Sequence, residues 1–385
     1  MRVLVLLGLM VLLGGCRSHP DVSLPMAESV CRTRGEPAAF AHEHRFQFIL
    51  TEVIDGRRVD HVYRADAEYF YPASTIKLIG AVAALQTMES LGASIDAPIG
   101  WGDVDRPGES LLASDGSVPV LRRELERMLI VSDNEAFNMC FDLAGQRELN
   151  ETMWDAGLSS VKIEHRLSRV ASAANRTAAA PMRLETASGS VLLPRRAGIG
   201  EIPPPAIPGL SIGSGFMRGG TLVREPMRFD RHNRISLRDL HELTIAINRP
   251  DLARIRLPIS ASHRELLAEF MSKLAPVPEE YKPFFPGVCR VLQPSRVRVA
   301  SKIGLAYGFL TDTACITDLA SGREFFLTAT IYVNSDGVLN DDAYGYDAVG
   351  FPVLADLAEA ATRRVFADPA DGVTSPGSPR ETSSD

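Results

Sequence analysis

The spacing of apolar residues divides the sequence into strands, then helices, then strands again. Apolar and polar residues alternate over 46–50 and pair with a second run at 59–69 across an Asp-Gly turn, the pattern of a β-hairpin. Near Ser74 the apolar period lengthens to that of a buried helix, and helical periods follow at 121–129, 135–144, 148–156, 237–247 and 263–274. Three β-type runs at 297–304, 309–318 and 324–334 precede a last helical run at 349–366.

This order predicts an α+β fold. We expect the N- and C-terminal strands to join in one antiparallel sheet with flanking helices, and an all-helical subdomain to be inserted between them. Residues 171–224 are rich in Ala, Pro, Gly and Ser, so we expect a loop-rich insertion with little regular structure. The domain is predicted over 41–366, after a tether at 16–40, and the polar residues 367–385 are predicted to be disordered.

The N-terminus has the pattern of a targeting segment. Arg2 precedes an apolar run at 3–13, which is shorter than the about 20 residues that span a bilayer, so residues 1–15 are predicted to be a signal peptide. Leu-Gly-Gly-Cys at 13–16 resembles a bacterial lipobox, which implies that Cys16 carries a lipid anchor. That resemblance implies a place in the bacterial cell envelope, on the periplasmic side of the outer membrane in a Gram-negative host. An ordinary signal peptide that contains a cysteine is the alternative.

Composition excludes several classes of partner and site. The net charge of −7 and the absence of a long basic run argue against nucleic acid as a partner. We also expect the protein to be a monomer. Four cysteines besides Cys16 show no zinc-site spacing. Cys140 and Cys315 fall on a buried helix and a strand, so Cys31 with Cys289 is the disulfide pair to test outside the cytoplasm.

Lysine is rare in this sequence, and its positions are therefore informative. Of the 41 basic residues only five are lysines, namely Lys77, Lys162, Lys273, Lys282 and Lys302. Lysine can lose its proton near neutral pH, whereas arginine cannot. A lysine beside a hydroxyl in this chain therefore suggests proton transfer.

Ser74 and Lys77 form the first chemical motif, Ser-x-x-Lys, at the start of the first predicted helix. Three residues apart, they share one face, and the helix dipole favours negative charge developing at Ser74. A neutral Lys77 can accept the hydroxyl proton. A helix cap is the alternative role for Ser74. Ser159 and Lys162 have the same spacing but lie on a short extended stretch, and we attribute this second match to chance.

Two further motifs supply a proton relay and a cation. Ser132 and Asn134, in Ser-Asp-Asn at a break between helices, can relay a proton and hydrogen-bond a substrate amide; a turn with a helix cap is the alternative. Lys302 and Gly304, in Lys-Ile-Gly on a predicted strand, can bind a carboxylate and admit substrate close to the backbone. Lys302 would also lower the pKa of Lys77. A solvated strand lysine is the alternative.

In this order and on these elements, the three motifs resemble those of the penicillin-recognising serine hydrolases, class A β-lactamases above all. The resemblance covers 46–366 and includes Tyr-Pro-Ala before Ser74 and His-Arg-Leu-Ser at 165–168. It implies an exported serine acyl hydrolase acting through an acyl-enzyme on an amide or ester carbonyl, without metal or organic cofactor. The implied substrate is a small molecule or resembles peptidoglycan.

The resemblance also implies a role for each site residue. Ser74 is the nucleophile, and its backbone N–H forms the oxyanion hole together with that of Leu305. Lys77 is the base and Ser132 the proton relay. Asn134, Lys302 and Gly304 bind the substrate.

Two departures from the class A pattern weaken the prediction of β-lactam hydrolysis. The glutamate that activates water in class A falls near Leu167, and Glu164 and His165 are the nearest candidates for a deacylation base. Ile303 stands where the family usually has Thr or Ser. We therefore expect acylation with poor deacylation. The alternative is a catalytically slow or inactive envelope lipoprotein that binds peptidoglycan fragments or a protein partner.

Overall fold

The computed structural model describes residues 21–101, 116–168, 176–200, 202–203, 205–273 and 282–366. In chain order, its helices are α1 (Ser23–Cys31), α2 (Pro37–Glu43), α3 (Lys77–Ser90), α4 (Leu121–Ile130), α5 (Asn134–Ala144), α6 (Gln146–Asp155), α7 (Leu237–Asn248), α8 (Ala261–Ser272), α9 (Phe285–Cys289) and α10 (Phe351–Phe366). Its strands are β1 (Gln47–Ile54), β2 (Arg57–Tyr63), β3 (Ile99–Trp101), β4 (Met182–Thr186), β5 (Gly189–Leu193), β6 (Ser211–Ile212), β7 (Gly215–Arg218), β8 (Thr221–Val223), β9 (Met227–Arg228), β10 (Val297–Ala306), β11 (Phe309–Asp318), β12 (Glu324–Tyr332) and β13 (Val338–Leu339).

Strands from both ends of the chain form one five-stranded antiparallel sheet in the order β10-β11-β12-β1-β2, which confirms the predicted α+β fold. Phe48 of β1 pairs with Ala329 of β12, so the first hairpin joins the last three strands directly. One face of the sheet packs on α1, α9 and α10. The other face packs on the helical region, where Phe326 and Leu243 share a core cluster.

Helix α3 runs through the middle of the helical region. Ten of its residues are buried, and they occupy nearly every side of the helix. A helix that is apolar all round is a core helix. Helix α3 packs against α4, α5 and α6. This packing fixes the position of its N-terminus, where the Ser-x-x-Lys motif lies.

The inserted region is not all helical, which corrects that part of the prediction. Strands β3, β4 and β5 form a three-stranded sheet, and four further short strands lie between 211 and 228. In β4 the buried Met182 and Leu184 alternate with the exposed Arg183 and Glu185, so one face of the strand contributes to the core. The described part of 171–224 therefore contains regular structure, and its Pro- and Gly-rich composition belongs to the turns between strands.

The described part of the predicted tether is also folded. Helix α1 packs on α10 through Met26, Val30 and Cys31, and the side chain of Glu36 caps α2 by accepting from two backbone N–H groups. The folded domain therefore begins before residue 41. The predicted signal peptide, Cys16 and the tail at 367–385 lie outside the described residues.

The four cysteines in the described ranges carry free thiols. Cys31, Cys140 and Cys315 are buried, Cys289 is partly exposed, and the candidate pair Cys31–Cys289 is not bonded. No helix in the described ranges is long and apolar enough to cross a membrane.

Candidate active site

Ser74 lies in a single 3₁₀ turn, Ala73–Ile76, that leads into α3. The hydroxyl and the backbone N–H of Thr75 both donate to the carbonyl of Pro72, at 2.7 and 3.1 Å, which fixes the turn. Ala73 adopts a φ of 46°, in the left-handed region. The helix therefore begins slightly later than predicted. Ser74 lies in the turn just before α3 and is half-buried.

Lys77 is the first residue of α3 and is fully buried. Its Nζ lies 2.9 Å from Ser74 Oγ and 3.0 Å from Ser132 Oγ, and it also donates to the carbonyl of Ser132. The structure thus brings the first two motifs together around one amine. Lys77 is in hydrogen-bond contact with both hydroxyls that the sequence singled out.

Ser132 occupies the break between α4 and α5 with a φ of 58°. The helix-capping role expected in this motif falls to its neighbour, because the Asp133 side chain accepts from the backbone N–H groups of Glu135 and Ala136 at 2.8 and 3.0 Å. The Ser132 hydroxyl instead accepts from Lys302 Nζ at 2.9 Å as well as from Lys77. With two amines donating to its oxygen, its own proton is directed elsewhere.

Lys302 and Gly304 lie on β10, the edge strand of the sheet, and Lys302 is 2% exposed. A Cβ on Gly304 would collide with the carbonyl of Pro72 and lie 3.1 Å from Ser74 N. The glycine therefore lets β10 approach the nucleophile turn, which corrects the predicted reason that it admits substrate. Leu305, the next residue, is 38% exposed beside Ser74.

Two cavities meet at Ser74, and both include Asn134 and Leu305. The smaller, about 270 Å³, is lined in addition by Leu129, Ile130, Val131, Ser132, Lys273, Lys282, Ser301, Lys302 and Ile303. The larger, about 560 Å³, is lined in addition by Tyr71, Ala73, His165, Leu167, Ser168, Ala306, Tyr307, Asn340, Asp342, Tyr344 and Tyr346. All the predicted substrate-binding residues except Gly304 line at least one of them.

The structure separates the two candidate deacylation bases. Glu164 has its carboxylate 2.7 Å from Lys162 Nζ and lines neither cavity. His165 lines the larger cavity, and its Nδ1 lies 2.6 Å from the carbonyl of Arg166. That carbonyl can only accept, so Nδ1 carries the proton and Nε2 is an acceptor. Burial lowers the pKa of His165 below 6.5, which keeps the ring neutral at pH 7.

Hydrogen bonds from two asparagine side chains hold the loop at 164–168 in place. Asn138 of α5 donates to the carbonyl of Leu167 at 3.0 Å and accepts from its N–H at 2.9 Å. Asn233 makes a similar pair of bonds with the backbone of His165. Leu167, near which the resemblance places the class A glutamate, lines the larger cavity with an apolar side chain.

The second Ser-x-x-Lys match is structural. Lys162 Nζ donates to the carbonyls of Ile202 and Asp230, at 2.7 and 3.0 Å, and pairs with Glu164. These contacts connect the segment 162–164 to the backbone at Ile202 and Asp230. None of them involves Ser159.

Sequence reasoning missed Lys282. It is 7% exposed in the wall of the smaller cavity and donates to the carbonyls of Met271 and Val299. Burial, with Lys302 nearby, lowers its pKa to about 7. Burial raises the pKa of Asp312, which lies on β11, to about 7. The rarity of lysine was the available signal. Within the described residues, no group of three or more His, Cys, Asp or Glu side chains could hold a metal ion.

Comparisons with known proteins agree with this geometry. Residues 38–190 match the model of a family described as the beta-lactamase enzyme family. A β-lactamase from Desulfarculus baarsii is 15% identical with a TM-score of 0.55, over 90% of this chain and 98% of that one. A β-lactamase from Sphaerobacter thermophilus is 18% identical with a TM-score of 0.53, over 91% and 99%. A variant of PBP-A, solved as its acyl-enzyme with penicillin G, is 14% identical with a TM-score of 0.53, over 90% and 98%.

No curated protein sequence matches the chain significantly. At these identities the solved structures establish the shared fold, and the family model adds a sequence match over the segment that contains Ser74, Lys77 and Ser132. Together they show a β-lactamase-like fold and, over residues 38–190, a similarity to the beta-lactamase enzyme family.

Proposed function

We propose that the protein is an exported serine acyl hydrolase in which Ser74 forms an acyl-enzyme with an amide or ester carbonyl. The observation that carries this proposal is the hydrogen bond of 2.9 Å between Lys77 Nζ and Ser74 Oγ in a buried setting. Burial and the second cation, Lys302, both favour the uncharged amine, which is the form that can accept a proton.

In the first step, Ser74 Oγ loses its proton to Lys77 Nζ and forms a bond to the carbonyl carbon. The carbonyl oxygen becomes an oxyanion, which the backbone N–H groups of Ser74 and Leu305 stabilise. The tetrahedral intermediate then collapses. The bond to the leaving group breaks, Ser132 donates its hydroxyl proton to that group, and Lys77 restores the proton to Ser132 across 3.0 Å.

Substrate positioning follows from the cavity walls. Lys302, on the side of Ser132, binds an anionic group of the substrate, and Asn134 hydrogen-bonds its amide. Ile303 offers an apolar contact in place of a hydroxyl, which weakens the hold on a carboxylate. Small acyl donors and peptidoglycan-like peptides are the substrate classes with this combination of groups.

Hydrolytic release of the acyl group from Ser74 is the slow step in this proposal. Leu167 supplies no base, and the Glu164 carboxylate is paired with Lys162. His165 Nε2 is the remaining candidate acceptor from this loop, and its placement favours slow deacylation over none. No metal or organic cofactor enters any of these steps.

We also propose that the protein is anchored in the bacterial cell envelope through a lipid on Cys16. The sequence at 13–16 supports this proposal. Mass analysis of the membrane-extracted protein would detect the diacylglyceryl group, and a Cys16→Ser variant that remains in the same membrane fraction would contradict it.

The catalytic proposal is tested by covalent labelling with a fluorophosphonate. We expect Ser74→Ala to abolish labelling and Ser159→Ala, at the second motif, to leave it intact, because Lys162 is engaged by backbone carbonyls and Glu164. Intact-mass spectrometry gives the readout. Equal labelling of Ser74→Ala and the wild type would overturn the assignment of the nucleophile.

A non-catalytic or very slow envelope protein that binds peptidoglycan fragments or a protein partner is the second candidate. Leu167 and Ile303, both lining the site, favour it because each removes a polar group that class A enzymes use. Failure of the wild type to label with fluorophosphonate or with a tagged penicillin, combined with saturable binding of peptidoglycan fragments, would favour this candidate.

A further inference from the structure

The start of α1 lies at the end of the sheet where α10 finishes. The backbone N–H of Val22, just before α1, donates to Nδ1 of His61 at 3.3 Å. Nε2 of the same ring lies 2.8 Å from the Glu52 carboxylate, which also accepts from Arg364, in the last turn of α10, at 2.9 Å. Three short contacts therefore link the entry of the chain to the exit of α10.

Two turns of the sheet lie at the same end. In the β11–β12 turn, Arg323 donates to the carbonyl of Val365, and its guanidinium lies 5.7 Å from the centre of the Phe366 ring. Phe325 pairs with Glu52 across β12 and β1, so the β1–β2 turn follows immediately. We call this part of the molecule the basal end, and it comprises 21–24, 54–58, 296–298, 319–323 and 363–366.

The catalytic site lies at the opposite end of the sheet. Strand β10 begins at the basal end, where Val297 pairs with Asp318, and Gly304 beside the nucleophile turn is about 23 Å further along it. Helix α10 gives a similar distance. It follows Tyr346, which contacts the β10–β11 turn at Gly308, and its 16 residues rise about 24 Å to the basal end.

The proposed lipid anchor is close to the basal end along the chain. Cys16 precedes Asp21, where the described structure begins, by five residues. An extended chain spans at most about 3.6 Å per residue, so Asp21 lies within about 18 Å of Cys16. A lipid on Cys16 therefore brings the basal end to the bilayer surface, while the catalytic end is further away than this tether reaches.

The charged side chains of the basal end suit an anionic surface. Its exposed acidic residues are Asp21 and Asp55. Its exposed basic residues are six arginines, namely Arg57, Arg296, Arg298, Arg323, Arg363 and Arg364. Three of the six, at 296, 363 and 364, pair with carboxylates. For Arg57, Arg298 and Arg323, no carboxylate of the described residues lies within ion-pair distance. An arginine near anionic headgroups strengthens attachment about fivefold.

Two apolar side chains share this end with the arginines. Leu24 at the start of α1 is 55% exposed, and Leu319 in the β11–β12 turn is 57% exposed. Among the described residues, no other large apolar side chain is as exposed. A single exposed leucine is common on protein surfaces, but apolar side chains flanked by cations are typical of surfaces that lie on the headgroup region of a bilayer.

We propose that the basal end docks on an anionic phospholipid bilayer, with its arginines on the phosphate groups and with Leu24 and Leu319 between the headgroups. This inference rests on the lipid anchor at Cys16 in the proposed function, to which docking adds a second attachment. Ser74 then opens more than about 20 Å from the lipid surface. Its substrate therefore arrives from the aqueous side of the envelope and not from within the bilayer.

Fluorescence quenching tests which end touches lipid. The mature lipidated protein is reconstituted in vesicles of phosphatidylglycerol and brominated phosphatidylcholine, and the wild type, with Trp101 and Trp154, gives the background. We expect bromine to quench Leu319→Trp and Leu24→Trp. It should not quench Leu222→Trp, on β8 in the small sheet with β13, beyond the catalytic end of β12. Equal quenching of all three, or quenching of Leu222→Trp alone, would overturn the proposal.

Charge removal tests the arginines. The mature chain with Cys16→Ser, which carries no lipid, is sedimented with phosphatidylglycerol vesicles. We expect Arg57→Gln/Arg298→Gln to weaken this binding about 25-fold, from about fivefold for each arginine. Arg218→Gln/Arg224→Gln removes two exposed arginines beside β8 and should leave binding unchanged. Equal weakening by both double variants would show attraction by overall charge and contradict docking.

These measurements separate docking from the other proposals, since neither depends on the reaction of Ser74. Binding of the Cys16→Ser chain that is lost only in Arg57→Gln/Arg298→Gln supports the docking surface even where mass analysis finds no lipid on Cys16. A lipidated protein in which Leu319→Trp is not quenched keeps its anchor and refutes docking. The acidic tail at 367–385, which continues from the basal end, is the other candidate occupant. Vesicle binding that appears only after the tail is removed would assign the arginines to the tail and overturn docking.

Discussion

At the scale of single residues, backbone strain is concentrated around the nucleophile. Ala73, Ser132, Ser168 and Tyr307 all have φ angles between 46° and 58°. Each such residue costs about 1–3 kcal/mol and persists only where its surroundings enforce it. All four line the two cavities that meet at Ser74. The fold therefore holds these four residues in strained backbone conformations at a cost in stability, which is characteristic of active sites.

Lys77 provides the sharpest prediction at this scale. We expect Lys77→Arg to be as damaging as Lys77→Ala, with acylation slowed at least about 100-fold in both, because arginine keeps the charge but cannot accept a proton near pH 7. The rate of fluorophosphonate labelling, followed by intact mass, measures the effect.

A surface substitution controls for the general effect of exchanging one cation for the other. Arg147→Lys, at an exposed position of α6, should label at the wild-type rate. Near-normal labelling of Lys77→Arg would instead show that Lys77 supplies only charge.

At the scale of elements, the proposed catalysis depends on how closely β10 approaches the turn before α3. Gly304 makes that approach possible, since the space for a side chain is already filled by the carbonyl of Pro72. The same approach brings the backbone of Leu305, beside Gly304, next to Ser74. Strand and turn must therefore stay in register for the oxyanion hole to exist.

Gly304→Ala tests this contact. The added methyl group must push β10 away from Ser74, and a displacement of about 1 Å in an active site costs on the order of 100-fold in rate. We expect that loss in the acylation rate, measured with a lactate ester. Gly200→Ala is the control, because a Cβ there meets nothing within 4 Å. Unimpaired acylation in Gly304→Ala would show that the contact tolerates expansion.

Elements with a clear apolar period could be predicted from the sequence, and those with biased composition could not. Helix α4, predicted at 121–129, is found at Leu121–Ile130, since its apolar residues face one side. Helix α1 lies within the predicted tether at 16–40, where Met26, Ala27, Val30 and Cys31 form a short buried stripe. Strands β4 and β5 lie in a segment whose Pro- and Gly-rich composition predicts loops, so the two-residue alternation of apolar and polar side chains in β4 does not stand out in the sequence.

The site shows a similar division. The three motifs specify residue types and order, which is why Ser74, Lys77 and Ser132 could be chosen from sequence. The tertiary contacts decide what remains: that Glu164 is paired with Lys162, that His165 faces the cavity, and that Lys282 lies beside Lys302. The cavity walls and the place of Lys282 beside Lys302 depend on residues distant in sequence, whereas the pairing of Glu164 with the nearby Lys162 depends on how their loop folds.

At the scale of the whole molecule, the site lies where two hydrophobic cores meet. Ile76 and Leu78, which flank Lys77, belong to the core of the helical region, whereas Ile303, beside Lys302, packs on the core between the sheet and α10. Ala300, which shares a face of β10 with Lys302, belongs to the core of the helical region, so the strand that carries Lys302 contributes to both cores. The proposed acylation therefore requires both cores to be in place.

Turnover by the whole enzyme should therefore be fast in its first half and slow in its second. The proposed acylation uses Ser74 and Ser132, which both contact the Lys77 amine, whereas the proposed deacylation has His165 as its candidate base. With a β-lactam we expect a burst of one acyl group per chain followed by slow release, measured by stopped-flow hydrolysis with intact-mass sampling. Rapid steady turnover without a detectable acyl-enzyme would contradict this expectation.

The pH profile of release identifies the base. The neutral ring of His165 is the active form, and burial lowers its pKa below 6.5, so release should be independent of pH above 6.5 and fall as pH drops through the lowered pKa. His165→Ala should slow release by roughly 100-fold and remove that acid limb. His42→Ala, at an exposed histidine of α2, should keep both rate and profile. If His165→Ala releases the acyl group as the wild type does, water reaches the acyl-enzyme through another base, and Asp342 becomes the residue to test.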